Sequence, residues 1–170
     1  MNKKKIKKII NNIYPYVIVI VSVVIIRTFL ITPAIVDGDS MEPNLSDNNI
    51  ILLYKLDYKL NEIKRFDVVV IEHNGNKLIK RVVGLPGEHI EYIDNNLYVD
   101  GFIVDEGFNH DDTYNFKLET IGYLSIPGDK YFVIGDNRDD STDSRMIGLI
   151  DKEDILGSVS FKLFPPGKVK

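Results

Sequence analysis

Apolar positions follow two different patterns along this 170-residue chain. From Ile13 to Thr32 they run almost unbroken, as IYPYVIVIVSVVIIRTFLIT, with Arg27 the single charge. About 20 apolar residues suffice to cross a bilayer as a helix, so the run predicts an amino-terminal transmembrane segment. Beyond it, short β-branched runs alternate with turn residues. NIILLYK (Asn49–Lys55), FDVVVIE (Phe66–Glu72), KLIKRVVGL (Lys77–Leu85), HIEYI (His89–Ile93), KYFVIGD (Lys130–Asp136) and ILGSVSFKLF (Ile155–Phe164) read as strands. NLYVDGFIV (Asn96–Val104) reads as a hairpin turning at Asp100-Gly101. The pattern lapses from Asp105 to Leu124, an acidic, irregular stretch that predicts a small inserted subdomain. The expected fold is mostly β: one transmembrane helix, then an antiparallel β-sheet domain carrying that insertion. The divisions are 1–12, a basic terminus; 13–32, the anchor; and 33–170, the β domain, with 105–124 as its insertion.

Charge gives the anchor a direction. Six of the 21 Lys/Arg residues and none of the 25 Asp/Glu fall in residues 1–32. Lys3, Lys4, Lys5, Lys7 and Lys8 precede the apolar run and place the amino terminus in the cytoplasm, with the body outside. Tyr14 and Tyr16 suit a membrane interface, and Arg27 can snorkel near the opposite one. A span shifted to begin near Ile9 would leave Phe29–Ile31 on the outer face. A cleaved signal peptide ending near Ala34 is the rival, but the apolar run exceeds a signal core and Pro33 crowds the cut. The acidic remainder excludes a general nucleic-acid binder. With no cysteine and three scattered histidines, a disulfide framework, thiolate chemistry and a histidine metal site are all excluded.

Three stretches carry candidate chemistry. GDSMEPNL (Gly38–Leu45) places Ser40 in a turn just after the anchor, and a serine nucleophile needs a base. His73, His89 and His110 lie in turns or in the insertion and read as solvated loop residues. A lysine serves instead if it is neutral, which means lowering its pKa from ~10.4 towards 7–8. Lys80 lies among Leu78, Ile79, Val82 and Val83 with no acid adjacent, a setting that disfavours charge. GDNRDDSTDSR (Gly135–Arg145) alternates hydroxyls, acids and arginines and could hold such a pair in place.

In this order, the anchor, RTFLITPAIVDGDSMEPNL, FDVVVIE, KRVVGLPGE and GDNRDDSTDSR resemble the type I signal peptidases, membrane-bound serine proteases with a Ser-Lys dyad. The resemblance implies Ser40 as nucleophile and Lys80 as general base. It implies that Ser141 orients the lysine amine and that Asp143 and Arg145 form a supporting ion pair. It gives Ser144 and Arg81 no role. Val36, Met41, Leu45 and Ile79 fall where the family lines shallow pockets for small residues, one and three positions before the cut. Gly38 stands where some members carry an oxyanion-hole serine, as in single-anchor members of Gram-positive bacteria. The second oxyanion donor is therefore unassigned. The implied partners are secretory precursors and the lipid bilayer, for a monomer in the bacterial cytoplasmic membrane that needs no metal or other cofactor.

Overall fold

The computed structural model describes residues 3–56, 58 and 61–169. Helix α1 (Lys3–Ile25) continues through Pro15 and ends in a π turn, Ile26–Leu30. Its side chains are described from Asn12 onward, so those of the lysine cluster lie outside what is described. Among the described residues, no helix is long and apolar enough to cross a membrane. The segment expected as an anchor is α-helical to Ile25 and π-helical to Leu30. Ile31 and Thr32 already belong to strand β1 (Ile31–Ile35). A strand was not expected there because it contains Pro33 and directly follows the apolar run. Sheet edges tolerate proline, and β1 is an edge strand pairing only with β2 (Ile50–Tyr54).

The larger sheet also contains β3 (Val68–His73), β4 (Asn76–Gly84), β9 (Lys130–Ile134), β10 (Ile150–Asp151), β11 (Ile155–Phe164) and β12 (Gly167–Lys168). Its order is β1-β2-β11-β3-β4-β9-β10, with β12 against β11 and every pair antiparallel. Val68 to Ile71 are all buried, which explains their unbroken apolar run: the sheet carries core on both faces. One core gathers Val36, Met41, Leu45, Ile51 and Val70, and another gathers Val69, Ile71, Val82 and Val133. Asn74 and Gly75 both take positive φ, the geometry of a tight primed turn between β3 and β4.

The remaining strands form a second sheet. β5 (Ile90–Ile93), β6 (Asn96–Val99), β7 (Phe102–Val104) and β8 (Phe116–Lys117) pair in the order β7-β6-β5-β8. The subdomain therefore begins at β5, well before Asp105. The expected insertion supplies β8, whose Phe116 is buried with Leu118 in the core of this sheet. Between β7 and β8, residues 105–115 form an irregular strap that returns towards the larger sheet.

Candidate active site

The turn bearing Ser40 is built from local hydrogen bonds. Glu42 N donates to Asp39 O at 3.0 Å, and Asn44 N and Leu45 N both donate to Met41 O. Met41 and Leu45 are fully buried and fix the turn to the core. From above, Asn137 N donates to Ser40 O and Asn137 Nδ2 to Asp39 O, each at 3.2 Å. Gly38 enters the turn at φ +95°, where a side chain would be strained.

Strand β4 brings Lys80 to this turn. Lys80 is 2% exposed, and its Nζ lies 2.7 Å from Ser40 Oγ. Burial lowers its pKa to about 8 and outweighs the opposing pull of Asp143 and Asp136; Arg145 assists the lowering. The apolar strand flanks thus have the expected effect, but the site is not free of carboxylates. Each nearby carboxylate is already neutralised by an arginine.

Asp143 accepts from Arg145 Nε at 2.9 Å and from Nη2 at 2.8 Å, and it accepts Gly135 N at 3.0 Å. It also caps the short helical turn Ser144–Ile147. Ser144, without a role in the sequence reading, accepts Val133 N at 2.9 Å and ties that turn to β9. Arg81, on the opposite face of β4 from Lys80, pairs with Asp136 through Nε at 2.7 Å and Nη2 at 2.6 Å, and both side chains are fully buried. The sequence reading missed this pair and Asp136 with it.

Ser141 departs from expectation. Among the described residues its buried Oγ has no hydrogen-bond partner, so the bond to Lys80 is not formed. Gly135 lies between the two serines: a Cβ on it would fall 2.2 Å from Ser141 Oγ and 2.4 Å from Ser40 O. The loop is closed so tightly against the nucleophile turn that only glycine fits.

A groove of about 240 Å³ opens beside Ser40. Val36, Met41 and Ile79 line it together with Ala34, Ile35 and Leu78. Leu45, packed in the core beneath, is not among the residues that line it. The three histidines are half-buried, not freely solvated. His73 closes β3, His89 Nδ1 lies 2.8 Å from Leu124 O, and His110 Nε2 lies 3.2 Å from Glu106. None of these contacts reaches Ser40.

The strap joins the site through polar contacts that the sequence did not announce. Glu106 accepts from buried Arg138 Nη2 at 2.6 Å, and Arg138 also donates to Thr113. Phe108 stacks on the Arg81 guanidinium at 3.9 Å. Among the described residues, no cluster of His, Cys, Asp and Glu is placed to hold a metal ion.

Residues 9–164 match the family described as "Signal peptidase, peptidase S26". The chain is 37% identical to signal peptidase I P of Bacillus subtilis subsp. natto, over 99% of this chain and 96% of that protein. It is 35% identical to signal peptidase IB of Staphylococcus aureus (strain COL), over 96% and 94%. The crystal structure of a signal peptidase I from Enterococcus faecalis V583 superposes with a TM-score of 0.53 at 34% identity, covering 58% of this chain and 97% of that one.

Proposed function

The chain belongs to the signal peptidase family, peptidase S26, a family of serine protease hydrolases, and from that premise we propose that Ser40 and Lys80 are its catalytic dyad. The observation that carries the reading is the 2.7 Å approach of Lys80 Nζ to Ser40 Oγ, by an amine whose pKa burial lowers to about 8. In neutral form Lys80 takes the hydroxyl proton as Oγ attacks the scissile carbonyl carbon. The resulting oxyanion is stabilised by the Ser40 backbone N–H. The Lys80 ammonium then passes its proton to the leaving amine as the C–N bond breaks. Water attacks the acyl-serine ester and loses a proton to Lys80. The acyl C–Oγ bond breaks as Lys80 returns that proton to Ser40 Oγ, and the acid product leaves as its carboxylate with its remaining proton lost to solvent.

The substrate is a secretory precursor, cut after a small residue at the end of its amino-terminal signal peptide. The groove beside Ser40 supports this reading: Ala34, Val36, Met41 and Ile79 give it an apolar lining suited to a small aliphatic side chain. The apolar run from Ile13 to Leu30, short of Ile31 and Thr32 in β1, anchors the chain in the cytoplasmic membrane as a monomer, with the amino terminus inside and the β domain outside. The exposure of apolar side chains from Ile13 to Ile26 supports an apolar surrounding, and the preceding lysines set its direction. The serine then sits near the membrane because the bond it cuts emerges there.

The test is incubation of the detergent-solubilised protein with a secretory precursor carrying alanines one and three positions before the cut. Wild type is expected to release the mature protein and Ser40→Ala to release none. Cleavage by Ser40→Ala would remove Ser40 as the nucleophile.

A further inference from the structure

We propose that Asn44 is a positioning residue for Ser40, tying the nucleophile turn to Asp136 and to the strap of residues 105–115. The proposal rests on the dyad reading above and deepens it. Asn44 Nδ2 carries two N–H groups and uses both. One goes to Asp136 Oδ2 at 2.8 Å, the other to the Asn109 carbonyl at 2.6 Å. A hydroxyl has a single proton to give and a carboxylate has none, so only an amide makes both bonds from this distance.

These bonds meet where three segments converge. Asp136 immediately precedes Asn137, which holds Ser40 O and Asp39 O from the other side. The Asp136 carboxylate also receives the Arg81 fork, and its main-chain carbonyl accepts Asp111 N at 3.1 Å. The strap cannot drift easily, because Phe108 lies on Arg81 while Glu106 and Thr113 hold Arg138. Asn44 thus fastens the far end of the Ser40 turn to a framework that is braced elsewhere.

Positioning and folding can be separated here. Met41 and Leu45, both fully buried, already hold the turn to the core, whereas Asn44 is only half-buried. Losing its side chain leaves the core intact and removes the lateral restraint on the nucleophile. A catalytic atom displaced by a fraction of an ångström to 1 Å loses on the order of 10- to 100-fold in rate while substrate contacts elsewhere persist.

The experiment compares wild type, Asn44→Ala and Asn44→Asp as full-length, detergent-solubilised chains on an alanine-containing signal-peptide substrate. For Asn44→Ala, kcat is expected to fall roughly 10- to 100-fold with KM nearly unchanged and a thermal transition close to wild type. Amide hydrogen exchange in residues 108–111 should quicken. Asn44→Asp should be at least as slow, since its carboxylate would face Asp136 and the Asn109 carbonyl. If Asn44→Ala fails to fold, Asn44→Ser replaces it and should show an intermediate kcat, having one donor. Wild-type kcat per folded molecule, or a loss lying wholly in KM, would overturn the role of Asn44. Wild-type kcat in Asn44→Ala beside an inactive Ser40→Ala would remove this proposal alone. An active Ser40→Ala would remove the reading beneath it.

Discussion

Ser40 and Lys80, 40 positions apart in the chain, meet at 2.7 Å with the amine shut away from water. The pKa of Lys80 is lowered to about 8, chiefly by burial, and only the neutral amine can accept the serine proton. Activity is therefore present above that value and lost as pH falls through it. A pH series of kcat/KM should show one rising limb centred near 8. Lys80→Arg should be inactive throughout, because a guanidinium stays protonated. A flat profile between about pH 6 and 10, or an active Lys80→Arg, would exclude proton abstraction by a neutral Lys80.

The same burial has a cost in stability. Lys80 has a lower pKa in the folded protein than in the unfolded chain, so the unfolded state binds more protons between about 8 and 10.5. Its contribution to stability therefore improves as pH rises across that window. Below it, the buried amine opposes folding by about 3 kcal/mol. Lys80→Met should be inactive yet more stable than wild type in urea unfolding at pH 7. The gap should narrow as pH is raised towards 10. A Lys80→Met protein less stable than wild type at pH 7 would show that the buried amine carries no such penalty.

Arg81 and Asp136 bear a different kind of load. Both side chains are fully excluded from water, and removal of either leaves an uncompensated buried charge. Such losses typically cost about 3–5 kcal/mol. Arg81→Met and Asp136→Leu should each be destabilised on that scale. The double variant should recover much of the loss, because no lone charge remains. Denaturant titration of all four proteins measures the coupling, and additive losses would show the pair to be independent.

What the sequence disclosed and what it hid follow from the range of the interactions. The strands from Ile50 to Tyr54, Val68 to His73 and Ile155 to Phe164 were legible because burial imposes a local apolar pattern. The turns at Asn74-Gly75 and Asp100-Gly101 were legible because positive φ demands those residues. β1 was hidden by its position behind the apolar run and by Pro33. The second sheet was hidden because β5 and β6 pair locally whichever sheet they join. Arg81–Asp136 and Asn44–Asp136 span 55 and 92 residues, and nothing local marks such partners. The stretch from Asp105 to Leu124 read only as acidic and irregular, yet Glu106 is buried because Arg138 awaits it. Ser40, Lys80 and the Asp143–Arg145 pair emerged from family motifs, which the geometry brings together. Leu45 packs in the core beside the groove, a distinction that a motif cannot make between apolar neighbours.

Ser141 poses a sharper test. Among the described residues its buried hydroxyl has no partner, an arrangement that carries a desolvation penalty. Ser141→Ala should therefore be as stable as wild type or more so. If the hydroxyl turns to orient the Lys80 amine when substrate is bound, kcat should fall while KM stays near wild type. Thermal unfolding and steady-state kinetics on one preparation give both answers. Unchanged kcat would show that Ser141 only fills space.

Gly135 offers the most local test of how closely the loop meets the nucleophile. A methyl group there would overlap Ser141 Oγ at 2.2 Å and the Ser40 carbonyl at 2.4 Å. Ser141 is held in the same loop, and Ser40 O belongs to backbone braced by Asn137, so neither can retreat as a flexible side chain would. Gly135→Ala should push the nucleophile turn away from Lys80 and lengthen the 2.7 Å contact. Overpacking of this kind costs about 1–3 kcal/mol, and a misplaced nucleophile loses on the order of 100-fold in rate. The double variant Gly135→Ala, Ser141→Gly removes one of the two clashes and leaves the other. It should regain stability while staying slow, because the surviving overlap is with the backbone of Ser40 itself. Full recovery of kcat in that double variant would place the strain on Ser141 and not on the nucleophile.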